Sequence, residues 1–346
     1  MKTKLFSPFK LKKTTLKNRI VMAPMCQYSA GDDGYANDWH LVHYTTRAVG
    51  GAGLILLEAT AVEPRGRISS QDLGIWEDSQ ADALRRIVNA GRRHGAVMGI
   101  QLGHAGRKCE AAGEAVIAPS ALSFDAADPR FQVPKAMSVP DIAQVTASFQ
   151  QAARRAVTAG FQVLEIHAAH GYLINQFLSP LANHRTDDYG GSPENRVRFL
   201  REVLAAVKEV IPEELPLIVR VSAEDYVPEG NRPEDLAALL NLAKDTGIDL
   251  VNVSSGAVVN AHINTYPGYQ VRFAETIRQL TGLPVMAGGL ITSPLMAEEV
   301  LQNERADLIF LGRELLRNPY WPLQAARELR EELEWPLQYQ RSQPKW

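Results

Sequence analysis

Eight short runs of aliphatic and β-branched residues recur along the chain, separated by segments whose apolar residues have helical spacing. The runs are Arg19–Ala23, Gly53–Thr60, Ala96–Leu102, Gln162–His167, Leu217–Ser222, Asp249–Ser254, Pro284–Gly289 and Asp307–Gly312. Amphipathic segments lie between them at Ser79–His94, Asp141–Ala159, Pro193–Ile211, Pro233–Thr246, Val271–Thr281 and Pro294–Asn303. Ser192 before Pro193 and Ser293 before Pro294 have the form of N-caps followed by proline at the first helical position. Strands of a parallel sheet are covered on both faces and so read as continuous apolar runs. A doubly wound sheet would also alternate in this way. The count of eight, with polar residues just after each run, predicts a (β/α)8 barrel.

The alternation runs through nearly the whole chain, so residues 1–346 are expected to form one barrel domain. Two connections are too long for plain turns, residues 103–139 after the third strand and 168–192 after the fourth. Both leave C-terminal strand ends, where barrels carry their active sites. The first is expected to form a capping insertion or lid. Residues 1–18 alternate polar and apolar positions and predict a hairpin closing the barrel bottom, and residues 336–346 predict an extended tail.

Hydrophobic residues make up 45% of the chain, enough for a sizeable core. The 37 basic and 39 acidic residues are interspersed, and a net charge of −2 argues against a nucleic-acid partner. Two cysteines, Cys26 and Cys109, exclude a disulfide framework and suit a reducing compartment. The basic start lacks the apolar stretch of a signal peptide, and no apolar run is long enough to span a bilayer. The expectation is a soluble cytoplasmic protein with small-molecule partners and no membrane association.

The stretch Glu165 to Leu178 carries the most chemistry. It delivers His167, His170 and Tyr172 within six positions at a strand end. Two imidazoles can hold an oxygen while a neighbouring phenol donates a proton. The same His-x-x-His spacing can bind a metal, but a catalytic metal site needs a third ligand. Glu165 is expected to point away from the neighbours of His167, so no metal is predicted. The remaining alternative, a core histidine satisfied by backbone, explains one imidazole better than two beside a tyrosine.

Gly288 and Gly289 close the seventh strand, and Gly312 and Arg313 close the eighth. Glycines there let backbone N–H groups approach an anion, and barrels often bind phosphate between these loops. The phosphate would belong to a substrate or to a cofactor such as FMN; tight turns are the plainer explanation for the glycines. Cys26, at the first strand end, could be a nucleophile, a ligand or a packed soft side chain, and packing is the commonest fate. Gln101 and Arg220 point to a polar barrel mouth. An arginine inside an apolar strand needs an anionic partner, either a bound group or a carboxylate such as Glu165. Lys108 starts the lid and would place positive charge over the mouth, or remain a solvated surface charge.

These motifs together resemble the Old Yellow Enzyme family of FMN-dependent ene-reductases, and more narrowly its thermophilic-like, xenobiotic-reductase-like bacterial branch of NADPH dehydrogenases. The likeness rests on Ala23-Pro-Met-Cys-Gln-Tyr-Ser29, Gln101-Leu-Gly-His-Ala-Gly-Arg-Lys108, His167-Ala-Ala-His-Gly-Tyr172, the stretch Asn183 to Arg196, and Ala287-Gly-Gly289. The resemblance implies an FMN-binding barrel. By it, Gly288, Gly289, Gly312 and Arg313 would hold the FMN phosphate, and Pro24, Met25, Cys26, Ala59, Gln101 and Arg220 would line the ring, with Arg220 at N1/O2. Hydride would pass from NADPH or NADH to the flavin, then to the β-carbon of an activated alkene. His167 and His170 would polarise the alkene's carbonyl or nitro group, and Tyr172 would protonate its α-carbon. Tyr28 and Lys108 would shape the mouth, and Arg341 would reach a neighbouring subunit's site in a homodimer or homotetramer. Two other readings remain: a lyase or aldolase using the strand 7/8 site for a phosphorylated substrate, and a non-catalytic flavin- or sugar-phosphate-binding protein. The aldolase would need a Schiff-base lysine at a strand end, and the eight runs contain none.

Overall fold

The computed structural model describes residues 3–343. Eight parallel strands close into a barrel in simple chain order: β1 (Ile20–Met22), β2 (Leu54–Ala61), β3 (Val97–Gly103), β4 (Val163–Ala168), β5 (Leu217–Ser222), β6 (Leu250–Ser254), β7 (Val285–Ala287) and β8 (Leu308–Leu311). Five of the expected runs contain their strand, and the runs for β2, β3 and β4 stop one residue short of the strand's end. Helices α1 (Asp38–Val49), α2 (Asp78–Arg93), α3 (Val139–Ala159), α4 (Pro193–Lys208), α5 (Pro233–Ala243), α6 (Val271–Thr281), α7 (Pro294–Gln302) and α8 (Trp321–Glu328) follow the strands in turn. Ser192 and Ser293 cap α4 and α7 as the sequence predicts, each accepting a hydrogen bond from a backbone N–H of the first turn. Among the described residues no helix is long and apolar enough to cross a membrane.

Strand parity sets what faces the barrel axis. Val21, Leu54, Leu56, Val97, Val163, Ile218, Leu250, Met286 and Leu308 form one apolar cluster inside the barrel. The intervening residues, such as Ile55, Met98, Leu164 and Val219, pack outward into the larger cluster beneath the helices. The predicted hairpin pairs Phe9–Leu11 with Thr14–Leu16. Its Leu11 and Leu16 join the inner cluster and seal the barrel bottom.

Two differences from expectation are local. Helix α1 does not stand out in the sequence because Trp39 and Val42, 53% and 59% exposed, blur its apolar face. Its N-terminus is capped by Asn37, whose side chain accepts from the N–H of Trp39. The tail is not extended, since Leu337–Ser342 winds into a 3-10 turn, and residues 344–346 lie outside the described residues.

The lid, residues 103–139, carries a short 3-10 turn, Gly106–Lys108, and a small pairing of Ile117–Ala118 with Lys135–Ala136. The long β4 connection grips it. Arg185 donates to the carbonyls of Pro119 (3.1 Å) and Met137, one on each lid segment, while its guanidinium is held by Asp187.

Candidate active site

Above the apolar plug, the inward positions turn polar. Gln101 on β3 is register partner of Glu165 on β4, and Arg220 on β5 is register partner of Asn252 on β6. Glu165 lies two residues before His167 and therefore shares its inward face. That corrects the expectation that Glu165 points away. Its two oxygens accept from Gln101 Nε2 and Asn252 Nδ2, both at 2.7 Å. Arg220 makes no direct ion pair with Glu165. Its Nη1 donates to the Pro24 carbonyl at 3.4 Å, its guanidinium lies 5.5 Å from the Phe310 ring centroid, and its buried Nε has no partner.

A β-bulge on β2 completes this level. The register with β3 shifts between Leu57 and Ala59. The extra residue, Glu58, turns to the helix side, where Tyr44 Oη donates to it at 2.8 Å and the N–H of Gln27 at 2.7 Å. Ala59 is thereby aligned with Gln101. Burial holds the Glu58 carboxyl up at about 7, against the pull of its hydrogen bonds.

One level higher, β4 presents His167 and the following turn presents His170 and Tyr172. His170 takes the left-handed conformation, φ 58°. Its backbone N–H donates to Ser222 Oγ at 2.9 Å. The two rings pack edge to face with centroids 5.2 Å apart, and Tyr172 meets His167 at 4.8 Å. Burial, reinforced by the positive charge of Arg220, pushes both imidazoles well below their ordinary range, so both are neutral.

Their hydrogen bonds set which nitrogen carries the proton. Nδ1 of His167 accepts from the N–H of Ala169 at 3.2 Å, which leaves its proton on Nε2. Nε2 of His170 lies 2.7 Å from Ser254 Oγ, and that oxygen accepts from Gln270 Nε2 at 3.2 Å. His167 Nε2 and His170 Nδ1 are 3.4 Å apart, close enough for both ring nitrogens to meet one polar atom of a bound group. Ser254 and Gln270 escape the sequence reading, although Ser254 has the inward parity of Asn252.

Tyr172 is partly buried, and its hydroxyl makes no hydrogen bond among the described residues. Burial, with the nearby Cys26 thiol, raises it well above the ordinary phenol range, so it is a neutral proton donor. Lys108 is no solvated surface charge. Its Nζ donates to the carbonyls of His170 (3.0 Å) and Ala257 (3.3 Å) and lies over the rings of Phe124 (4.3 Å) and Tyr172 (5.2 Å). Burial, then the neighbouring Arg107, lowers it to about 8. Tyr28, 56% exposed, stands at the mouth with φ 50°. Cys26 is partly buried, and that burial pushes its thiol up, which disfavours a thiolate nucleophile.

Beside these residues opens a cavity of about 230 Å³, lined by Pro24, Met25, Arg220, Ser254, Gly289, Gly312 and Arg313 among others. Ala59, His167 and Tyr172 line an adjoining small hollow. Arg313 is exposed and makes no ion pair among the described residues. Gly289, at φ 93°, faces the cavity. Gly288 does not: a Cβ there would collide with the Phe310 ring, so this glycine serves packing. Gly288→Ala is expected to lose about 1–3 kcal/mol from overpacking, measured by denaturant unfolding; unchanged stability would show that Phe310 can yield. Arg341 sits exposed in the C-terminal turn and lines none of these cavities.

The residues present fit a flavin mononucleotide. Arg220 Nε needs an acceptor in the buried interior, Gln101 keeps its carbonyl oxygen for a donor, and Arg313 offers a cation without an ion pair among the described residues on the wall of the same cavity as Arg220.

Comparison with known proteins agrees. Residues 4–332 match the NADH:flavin oxidoreductase / NADH oxidase family. An NADPH dehydrogenase of Geobacillus thermodenitrificans is 57% identical over 342 residues, covering 99% of both chains. The Old Yellow Enzyme homologue of Zymomonas mobilis superposes with a TM-score of 0.81 at 27% identity, covering 99% of each chain. A 2-naphthoyl-CoA reductase superposes with a TM-score of 0.89 at 25% identity, over 94% of this chain and 52% of that longer one. The barrel, its polar mouth and these likenesses converge: the chain belongs to the NADH:flavin oxidoreductase / NADH oxidase family, the family of Old Yellow Enzyme, and is an oxidoreductase.

Proposed function

We propose that this oxidoreductase is an FMN-dependent ene-reductase that draws reducing equivalents from NADPH or NADH and reduces activated alkenes, such as α,β-unsaturated carbonyl or nitro compounds. The observation that carries the reading is the pair of neutral imidazole donors beside the free phenol of Tyr172, at the edge of a cavity walled by Arg220. Bound FMN supplies a centre that accepts hydride from the nicotinamide and returns it to the alkene's β-carbon. His167 Nε2 and His170 Nδ1 donate to the substrate's carbonyl or nitro oxygen, where negative charge grows. Tyr172 Oη delivers its proton to the α-carbon. In this reading Gly289, Gly312 and Arg313 would hold the phosphate, Arg220 would meet the N1/O2 edge, and Pro24, Met25, Cys26 and Ala59 would pack against the ring.

A lyase using a Schiff-base lysine fits less well, because Lys108 Nζ is already bound by two backbone carbonyls. Arg341, exposed in the C-terminal turn, is placed by this reading in a neighbouring subunit's mouth. Truncation before Arg341 should change alkene affinity and assembly, and unchanged kinetics and sedimentation would remove that role.

The direct test is the absorbance spectrum of purified protein, followed anaerobically through NADPH and then cyclohexenone. A flavin band that bleaches with NADPH and returns with the enone is expected. A colourless protein that takes up no added FMN would overturn the cofactor, and a band that bleaches but does not return would overturn the alkene.

A further inference from the structure

Among the described residues the Glu165 carboxyl is the inward-facing acid that joins Gln101 and Asn252 at the barrel's polar level, and the proposed chemistry gives it no step. It is 0% exposed, yet it forms no direct ion pair with Arg220. A buried carboxyl without a function is costly and would be replaced by a neutral side chain without loss.

Its contacts point to two effects. By accepting from Gln101 Nε2, Glu165 dictates which end of that amide is left over: the carbonyl end, an acceptor. Arg220, on the adjacent strand, keeps an unpartnered Nε donor. The bound group therefore meets an acceptor from Gln101 and a donor from Arg220, a pattern matched by an imide edge with N–H beside C=O. Meanwhile Asn252 Nδ2 holds the second carboxylate oxygen, so both oxygens are engaged by amide donors as an anion's would be.

We propose that Glu165 is a positioning residue of the cofactor site, which orients the Gln101 amide and offsets part of the Arg220 charge, holding down the reduction potential of the flavin. The inference rests on the FMN reading above. Burial pushes the Glu165 carboxyl up, while Arg220 first, then the Asn252 and Gln101 amides, pull it back. An ionised Glu165 lowers the net positive charge felt by an electron-rich ring, and its removal raises that charge. The sign is therefore fixed: a neutral replacement makes the flavin easier to reduce.

The test is Glu165→Gln in the FMN-loaded enzyme, reading the equilibrium between flavin and a reference redox dye. Loss of one buried charge is comparable to a one-unit pKa perturbation. The reduced-to-oxidised ratio should therefore rise about tenfold, about 30 mV for a two-electron couple. An unchanged ratio overturns the proposal, whatever happens to thermal stability, because a purely structural role moves stability and not the dye equilibrium. A fall in the ratio overturns it as well. Should the variant fail to fold or to hold FMN, the wild-type holoenzyme decides by infrared difference spectroscopy with isotope-labelled glutamate. An ionised carboxylate band that shifts on reduction is expected, and a protonated carboxyl or no glutamate band overturns the proposal. Wild-type protein that binds no FMN would count against the cofactor reading instead.

Discussion

Tyr172→Phe slows alkene reduction by roughly 10²–10⁴-fold, the range for loss of a positioned general acid, while the rate of flavin reduction by NADPH stays near wild type. The phenylalanine keeps the ring that packs against His167 at 4.8 Å, so the turn that presents His170 is not disturbed. Only the proton is removed. Among the described residues the Tyr172 hydroxyl has no hydrogen-bond partner, and burial holds it neutral, so no neighbouring protein group competes for its proton. Stopped-flow measurement of the two half-reactions separates the cases. Equal loss in both would mean that the tyrosine shapes the cavity rather than acting on the alkene.

The double variant His167→Ala with His170→Ala is expected to cost about 10²–10³-fold in alkene reduction, comparable to loss of a preorganised oxyanion donor. Binding of a phenol, seen by its effect on the flavin spectrum, should weaken in parallel. Because Nε2 of one ring lies 3.4 Å from Nδ1 of the other and the proposed chemistry has both meet a single oxygen, the effects of the single variants should not sum to that of the double. Strict additivity would argue that the rings act on separate atoms. Phenol titrations that do not change in the double variant would take both histidines out of the site.

Most of this architecture is legible in the amino-acid sequence, and the reason is physical. A strand covered on both faces carries few polar positions to dilute its signal, and each of the eight announced itself as a largely apolar run. The trio His167, His170 and Tyr172 was legible because three chemically able side chains fell together at one strand end. What escaped depended on neighbours remote in sequence. Lys108 reads as a surface charge until Phe124 and the carbonyls of His170 and Ala257 are brought around it. Gly288 reads as a phosphate glycine until Phe310 is seen to occupy its Cβ position. Ser254 and Gln270 carry no motif and become meaningful only through the hydrogen-bond chain they extend from His170. Glu165 was misplaced for a different reason: residues two apart on a strand share a face, and that parity puts it directly below His167.

The Arg185 clasp has a consequence for how such an enzyme diversifies. Because one side chain from the β4 connection holds both segments of the lid, residues 103–139 and 168–192 behave as a single cassette. Exchanging the lid alone for a relative's strands the guanidinium and unties the mouth, whereas exchanging both loops together carries the fastening along with the surface it fastens. New substrate ranges are thus most readily reached by swapping the two loops as a pair, on a barrel floor that need not change.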